Sequence, residues 1–157
     1  MRLCVIPARG GSKRIPRKNI KSFCGQEMIS YSIKAALDSE CFDQIVVSTD
    51  DAEIAKVAKY FGASTPFVRP NELASDYVGT LPVIKHAIEW FYEQGNFPLE
   101  VCCLYATAPF VQSDTIRDAY KQMKQVQADY CFTATSFTFP IQRAIKLNAK
   151  NGIEMFY

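Results

Sequence analysis

Hydrophobic positions along the chain follow two periodicities, which predict buried strands and amphipathic helices. Continuous short apolar runs are typical of strands that are buried on both faces of a sheet. Such runs lie at residues 3–6, 45–48, 101–105 and 130–135, with weaker strand patterns at 65–68 and 144–147. Apolar residues at three- and four-residue spacing predict helices. This spacing occupies residues 27–38, 52–61, 80–94 and 114–127.

Polar residues and glycines mark the expected helix ends. Asp50 or Asp51 can cap the helix over 52–61, because a carboxylate there accepts from free backbone N–H groups. Gly62 is expected to end that helix. Ser113 is expected to cap the helix over 114–127.

The order of these elements predicts an α/β fold, a sandwich with a largely parallel sheet. A length of 157 residues suits one domain, residues 1–157.

No apolar run approaches the roughly 18 residues of a membrane helix, and the N-terminus does not resemble a signal peptide. The sequence therefore predicts a cytoplasmic protein without a membrane partner. The apolar end at residues 152–157 suggests a truncated chain, or one whose end pairs with a partner.

The cysteines favour packing over metal binding. The chain has six cysteines, no Cys-x-x-Cys pair and one histidine, so a zinc site is not expected. Without a secretion signal, a disulfide framework is not expected either. The cysteines within apolar runs are predicted core residues. They are Cys4, Cys102, Cys103 and Cys131.

Positive charge is concentrated in one segment of the chain. The net charge is +2, yet residues 1–26 hold seven basic residues and no acidic one. The remainder holds 11 basic and 16 acidic residues. A basic cluster on a mildly acidic body indicates a discrete anion site more than a broad nucleic-acid surface.

The loop after the first strand carries the candidate chemistry. In an open parallel α/β sheet, ligands bind beyond the carboxyl ends of the strands. Residues 8–19 (ARGGSKRIPRKN) combine two glycines, which allow close backbone approach, with a hydroxyl and several cations. Arg grips phosphate oxygens in pairs, and Lys acts as a point charge. The loop suits a triphosphate, but it has neither the P-loop pattern nor Gly-x-Gly-x-x-Gly. The residue types also allow a solvated basic loop or a nucleic-acid-binding arm.

Three blocks of sequence resemble the acylneuraminate cytidylyltransferases, also called CMP-sialic acid synthetases. The first block is residues 7–19 (PARGGSKRIPRKN), which is long and specific. The second is residues 47–55 (VSTDDAEIA), and the third is residues 66–76 (PFVRPNELASD). The resemblance covers the whole chain, and the chain corresponds to about the first two-thirds of the family's length.

The resemblance implies a fold, a reaction and a cofactor. The fold is a Rossmann-like three-layer α/β/α domain of the nucleotide-diphospho-sugar transferase type. The reaction joins CTP to a nine-carbon sugar acid, and the anomeric hydroxyl of the sugar attacks the α-phosphate while pyrophosphate leaves. Such a transfer depends on positioning and charge neutralisation. Mg²⁺ is the implied cofactor, and full-length members are expected to be homodimers.

The resemblance also assigns roles to residues. Arg9 and Lys18 would hold the phosphates and stabilise charge during transfer. The residues expected to bind CTP are Ala8, Arg9, Gly10, Gly11, Ser12, Lys18, Asn19, Arg69, Gly79 and Thr80. Two alternatives stay open: Arg69 forms a surface ion pair, and Thr80 is a plain helix N-cap.

Departures from the family pattern point to a subgroup. Sialic acid synthetases carry Gln-Pro-Thr-Ser-Pro where this chain has Tyr105-Ala106-Thr107-Ala108-Pro109. This segment and residues 79–90 and 136–146 look more like pseudaminic acid cytidylyltransferases. The residues expected near the sugar are Tyr105, Thr107, Gln142 and Arg143. Arg143 would meet the substrate carboxylate or form a structural ion pair.

The metal ligands are not assigned by the sequence. Mg²⁺ prefers carboxylate oxygens, and the family's aspartates are expected beyond Tyr157.

Two other functions remain as alternatives. One is a catalytically silent nucleotide-binding module. The other is a nucleic-acid-binding domain, which the near absence of aromatic residues from the basic loop disfavours.

Overall fold

A computed structural model describes residues 1–136, 138, 141–150 and 152–155. Its central sheet contains three parallel strands in the order β4-β1-β5. These are β1 (Arg2–Pro7), β4 (Gln44–Ser48) and β5 (Glu100–Cys103). In register, Val5 of β1 lies opposite Val46 of β4 and Cys103 of β5.

Four helices surround this sheet, and all four sequence-predicted helices are confirmed to within two residues at each end. They are α1 (Met28–Ser39), α2 (Ala52–Tyr60), α3 (Thr80–Glu93) and α4 (Ser113–Gln125). Short 3-10 helices lie at Lys18–Ile20, Asn71–Leu73 and Ile141–Arg143. No described helix is long and apolar enough to cross a membrane.

Alternation along β1 produces two cores, because successive side chains of a strand point to opposite faces. Leu3 and Val5 belong to a cluster with Ile84, Ala87 and Phe91, which lie on α3. Cys4 and Ile6 belong to a second cluster that includes residues of α1, α2 and α4. Helices therefore cover both faces, and the predicted three-layer α/β/α sandwich is confirmed.

The loop between β1 and α1 contains more structure than the sequence predicted. It includes a two-stranded antiparallel hairpin of β2 (Ser22–Phe23) and β3 (Gln26–Glu27). A second hairpin pairs β6 (Ile145–Leu147) with β7 (Ile153–Met155), so the predicted strand near 144–147 is confirmed. This hairpin is not part of the central sheet.

Two predicted strands are wrong. Residues 65–68 do not form a strand, and only Ser64 makes a single parallel bridge, to Val46. Pro66 has no N–H to donate to a ladder, and Val68 is exposed. Residues 130–135 are exposed coil without a ladder partner among the described residues, so their apolar pattern has no sheet to join.

Smaller corrections concern single residues. Ser113 is the first residue of α4 and Gln112 is its N-cap, without a capping side chain. Cys4 is buried as predicted, whereas Cys102 is partly buried, and Cys103 and Cys131 are exposed. Cys103 ends an edge strand of the described sheet and Cys131 lies in exposed coil, so neither is enclosed.

Candidate active site

A cleft lies at the carboxyl edge of the sheet, where the parallel strands β1, β4 and β5 all end. This is the edge at which open α/β sheets bind ligands. The cleft has a volume of about 170 Å³. It is lined by Pro7, Arg9, Ser12, Lys18, Asn19, Arg69, Leu73, Ser75, Val78, Gly79, Thr80, Val83, Tyr105, Ala106 and Thr107.

Three hydrogen bonds hold the loop after β1 in place, two of them to the C-terminal end of β4 and the residues that follow it, and one within the loop. The Ala8 N–H donates to the Ser48 carbonyl at 2.9 Å, which continues the pairing with β4. The buried Asn19 donates its Nδ2 to the Arg9 carbonyl at 2.9 Å. The Gly10 N–H donates to Oδ1 of Asp50 at 2.9 Å. The cleft wall at this end is therefore held in place by both backbone and side chains.

The two glycines of the loop have different surroundings. A Cβ on Gly10 would lie 2.7 Å from Oδ2 and 2.9 Å from Cβ of Asp51, so only glycine fits there without a shift. A Cβ on Gly11 would meet nothing within 4 Å. The Gly10 amide donates to Asp50, and the Ser12 amide donates to the Gly10 carbonyl at 2.9 Å. The predicted phosphate cradle is therefore reduced to the Gly11 amide and the Ser12 hydroxyl.

Four of the five cations of the loop separate into three groups, and the fifth, Arg14, is exposed. Arg9 and Lys13 both form ion pairs with Asp76, at 2.5 and 2.6 Å. Arg17 forms ion pairs with Asp51 and Glu53 and so fastens the loop to the start of α2. Lys18 lines the cleft and has no ion pair among the described residues. Arg9 and Lys18 are thus the loop cations that face the cleft.

Arg69 is buried beneath the cleft, with 4% of the residue exposed. Its Nε donates to Oγ of Ser48 at 3.1 Å, and its Nη2 donates to the Ser48 carbonyl. Burial lowers the pKa of the Arg69 guanidinium to about 10, and the positive charge of Arg9 adds to this effect while Asp50 opposes it. The alternative of a surface ion pair for Arg69 is therefore wrong. A buried cation here raises the attraction of the cleft for an anion.

The other end of the cleft is formed by α3 and the segment after β5. Gly79 is the N-cap of α3, so the alternative that Thr80 is the cap is wrong. Instead, Oγ1 of Thr80 is hydrogen-bonded to Oη of Tyr105 at 3.0 Å. Oγ of the buried Ser32 donates to the Tyr105 carbonyl at 2.8 Å and fixes that residue. The N-terminus of α3 adds a partial positive charge at this end.

The cleft brings together most, but not all, of the residues that the sequence singled out. Ala8 is fully buried, and Gly10 and Gly11 belong to the loop but are not among the residues that line the cleft. Gln142 and Arg143 lie on an exposed 3-10 helix outside the cleft lining. Sequence reasoning missed Asp76 and the apolar wall of Leu73, Val78 and Val83. The sequence did contain a signal for Asp76. This acidic residue lies in the block over residues 66–76 that resembles the family, and the basic loop has no acidic residue of its own with which its cations could pair.

The described residues contain no preformed cluster of metal-binding side chains. No group of three or more His, Cys, Asp or Glu residues within the described part of the chain is placed to hold a metal ion. The carboxylates near the cleft are also engaged: Asp50 by the Gly10 amide, Asp51 by Arg17 and Asp76 by Arg9. We therefore assign no step to a metal held by these residues.

The fold is similar to that of two solved enzyme structures. A CMP:2-keto-3-deoxy-manno-octonic acid synthetase in complex with CTP has a TM-score of 0.64 and 22% identity, covering 81% of this chain and 48% of that one. A 4-diphosphocytidyl-2C-methyl-D-erythritol synthase has a TM-score of 0.61 and 13% identity, covering 78% and 54%. At these identities the likeness concerns the fold.

Sequence comparisons identify the family. The family model for cytidylyltransferases matches residues 3–150. A pseudaminic acid cytidylyltransferase of Campylobacter jejuni is 51% identical over 154 residues, which are 98% of this chain and 66% of that protein. The N-acylneuraminate cytidylyltransferase of Escherichia coli is 33% identical over 134 residues, covering 85% of this chain and 31% of that protein. The chain belongs to the cytidylyltransferase family, and it spans about two-thirds of the length of its Campylobacter relative.

Proposed function

We propose that the cleft binds CTP and that the chain carries the nucleotide site of an enzyme that transfers CMP to a nine-carbon, sialic-acid-like sugar acid. Pseudaminic acid is the proposed sugar, because the relative that is 51% identical over nearly the whole chain is a pseudaminic acid cytidylyltransferase. The observation that carries the proposal is the meeting of Arg9, Lys18 and buried Arg69 in one cleft at the carboxyl edge of the sheet.

The two ends of the cleft offer different groups to the proposed substrates. At the loop end, Arg9 and Lys18 would hold the triphosphate, with Ser12 and the Gly11 amide as neutral donors. At the other end, Thr80 and Tyr105 offer hydroxyls to the nucleoside or the sugar. Gln142 and Arg143 are proposed to contribute to the sugar side, although they lie outside the cleft lining.

The proposed chemistry is an in-line displacement. The anomeric hydroxyl of the sugar attacks the α-phosphorus and loses its proton to water, the bond from that phosphorus to the bridging oxygen breaks, and pyrophosphate leaves with the electron pair. Negative charge accumulates on the leaving pyrophosphate, so cations that are already oriented lower the barrier. Lys18 and Arg9 are the residues proposed for this role. The Mg²⁺ requirement, the homodimer and the cytoplasmic location all stay predictions.

Pyrophosphate release tests the proposal. We expect the chain, supplied with CTP, Mg²⁺ and pseudaminic acid, to release pyrophosphate and to do so more slowly with N-acetylneuraminic acid. Arg9→Ala should lower the rate about 10- to 1,000-fold, because it removes a charged contact to the phosphates. Arg14→Ala, which removes an exposed cation from the same loop, is the matched control and should leave the rate within about twofold.

A catalytically silent nucleotide-binding module is the second candidate. It is favoured by the engagement of the carboxylates nearest the cleft, because Asp50, Asp51 and Asp76 are each held by a donor of the loop. CTP binding without pyrophosphate release from any of the sugar acids would support that module and contradict the enzyme.

A further inference from the structure

Asp76 lies where an anionic ligand of the cleft would compete with it. Its Oδ1 is 2.5 Å from Nη2 of Arg9, and its Oδ2 is 2.6 Å from Nζ of Lys13. One carboxylate thus joins two loop cations, each through a separate oxygen, as a phosphate group would. These ion pairs, first with Lys13 and then with Arg9, hold the pKa of the Asp76 carboxyl below its usual range.

The Asp76 carboxylate and a bound phosphate would compete for the same hydrogen-bond donors of Arg9. Arg9 lines the cleft, and it is one of the residues proposed to hold the triphosphate. Guanidinium groups bind carboxylates and phosphates through the same paired N–H donors. A triphosphate that takes the Nη2 donors of Arg9 therefore competes with Asp76 for them.

The segment that carries Asp76 is also part of the cleft wall. Residues 74–79 connect the 3-10 helix Asn71–Leu73 to the N-terminus of α3. Ser75, Val78 and Gly79 of this segment line the cleft, and Tyr77 is 98% exposed. Nη1 of Arg9 also donates to the Ala74 carbonyl, at 3.4 Å. Arg9 therefore links the segment to the loop twice.

We propose that Asp76 is an internal competitor of the substrate phosphates, a carboxylate that occupies Arg9 and Lys13 until the triphosphate displaces it. This inference rests on the proposed function, because it deepens the description of the same site. Displacement of Asp76 releases residues 74–79 from the loop, so nucleotide binding and the position of this cleft wall are coupled. Asp76 lowers the affinity of the site for nucleotides. In the empty site it pairs with Arg9 and Lys13, so these two cations are not left unpaired to bind other anions.

The test compares nucleotide and anion binding in two variants of equal charge. Asp76→Asn removes the competing charge with almost no change of shape, and Glu72→Gln removes one exposed negative charge from the neighbouring 3-10 helix. Dissociation constants for CTP and for inorganic tripolyphosphate are measured by calorimetry, with and without Mg²⁺ and with GTP as the nucleotide control. We expect Asp76→Asn to bind both about three- to thirtyfold more tightly, and Glu72→Gln to bind within about twofold of the unmodified chain.

A conservative variant separates competition from a structural role. Asp76→Glu restores the carboxylate, so it should return both affinities towards those of the unmodified chain. Unchanged or weaker binding of both ligands by folded Asp76→Asn overturns the inference. A loss of affinity that appears only with Mg²⁺ also overturns it, because Asp76 would then be a metal ligand.

The two ligands also distinguish this inference from the proposed function. If Asp76→Asn binds tripolyphosphate more tightly while neither protein prefers CTP over GTP, the competition stands and the CTP site fails. If the unmodified chain prefers CTP but Asp76→Asn binds no ligand more tightly, the CTP site stands and the competition fails.

Discussion

Neighbouring residues of the same type have unequal roles in the loop after β1. Gly10 and Gly11 both matched the resemblance to a nucleotide-binding signature. Only Gly10 lies against the side chain of Asp51, whereas the space beside Gly11 is open. The sequence could identify the loop, but it could not separate the two glycines, because the difference arises from Asp51, 41 residues further along the chain.

Alanine substitutions test this difference. Gly10→Ala should lower the free energy of unfolding by about 1–3 kcal/mol, because the new Cβ requires either Asp51 or the loop to move. Gly11→Ala should change it by less than about 0.5 kcal/mol. Urea denaturation followed by circular dichroism measures both values. Equal losses in the two variants would contradict the close contact between Gly10 and Asp51.

The side chain of Asp51 both caps helix α2 and contacts the loop of the candidate site. Oδ1 of Asp51 accepts from the N–H groups of Glu53 and Ile54, at 2.9 and 3.0 Å, so the predicted cap is confirmed. The same carboxylate pairs with Arg17 of the loop. Helix α2 is therefore capped by the residue that also fastens the loop and limits the space beside Gly10.

The stability that is lost when the Asp51 cap is removed should depend on pH. The hydrogen bond from Arg17 and the N–H groups of Ile54 and Glu53 lower the pKa of Asp51 in the folded chain. The folded state therefore gains stability from the carboxylate above the unfolded pKa of about 3.9, and it loses this gain as the pH falls through the folded pKa. At pH 7, Asp51→Ala should lower the free energy of unfolding by about 1–2 kcal/mol.

The control for this prediction is Asp51→Asn, which retains a good capping side chain and loses only the charge. At pH 7, Asp51→Asn should lower the free energy of unfolding by less than Asp51→Ala does. In urea denaturation the difference between Asp51→Ala and the unmodified chain should be smaller at pH 2 than at pH 7. A difference that does not change with pH would show that the charge of Asp51 has no part in capping.

The elements that the sequence predicted well are those defined by local pattern. The helices have clear spacing of apolar residues, and their ends agree with the structure to within two residues. The failures, at residues 65–68 and 130–135, are strands. A strand depends on a neighbour for its hydrogen bonds, and this neighbour is not encoded in the apolar pattern of the strand itself.

At the scale of the whole molecule, the sequence predicted an anion site but not the partners of its cations. The concentration of seven basic residues in positions 1–26 agrees with a cleft that Arg9 and Lys18 line. Arg17 and Lys13 carry equal charge in the same loop, yet they pair with Asp51 and Asp76. These pairs join residues 34 and 63 positions apart, and only the folded chain brings them together.

The central claim is that this cleft is a CTP site, and calorimetric titration tests it most directly. CTP and GTP are titrated in the presence of Mg²⁺ into the unmodified chain, Lys18→Ala and Lys21→Ala. Lys18 lines the cleft, whereas Lys21 is an exposed lysine three residues away. We predict that CTP binds more tightly than GTP, that Lys18→Ala weakens CTP binding about 10- to 100-fold, and that Lys21→Ala changes it by less than about twofold. Equal affinity for the two nucleotides, or equal effects of the two lysine substitutions, would contradict the account.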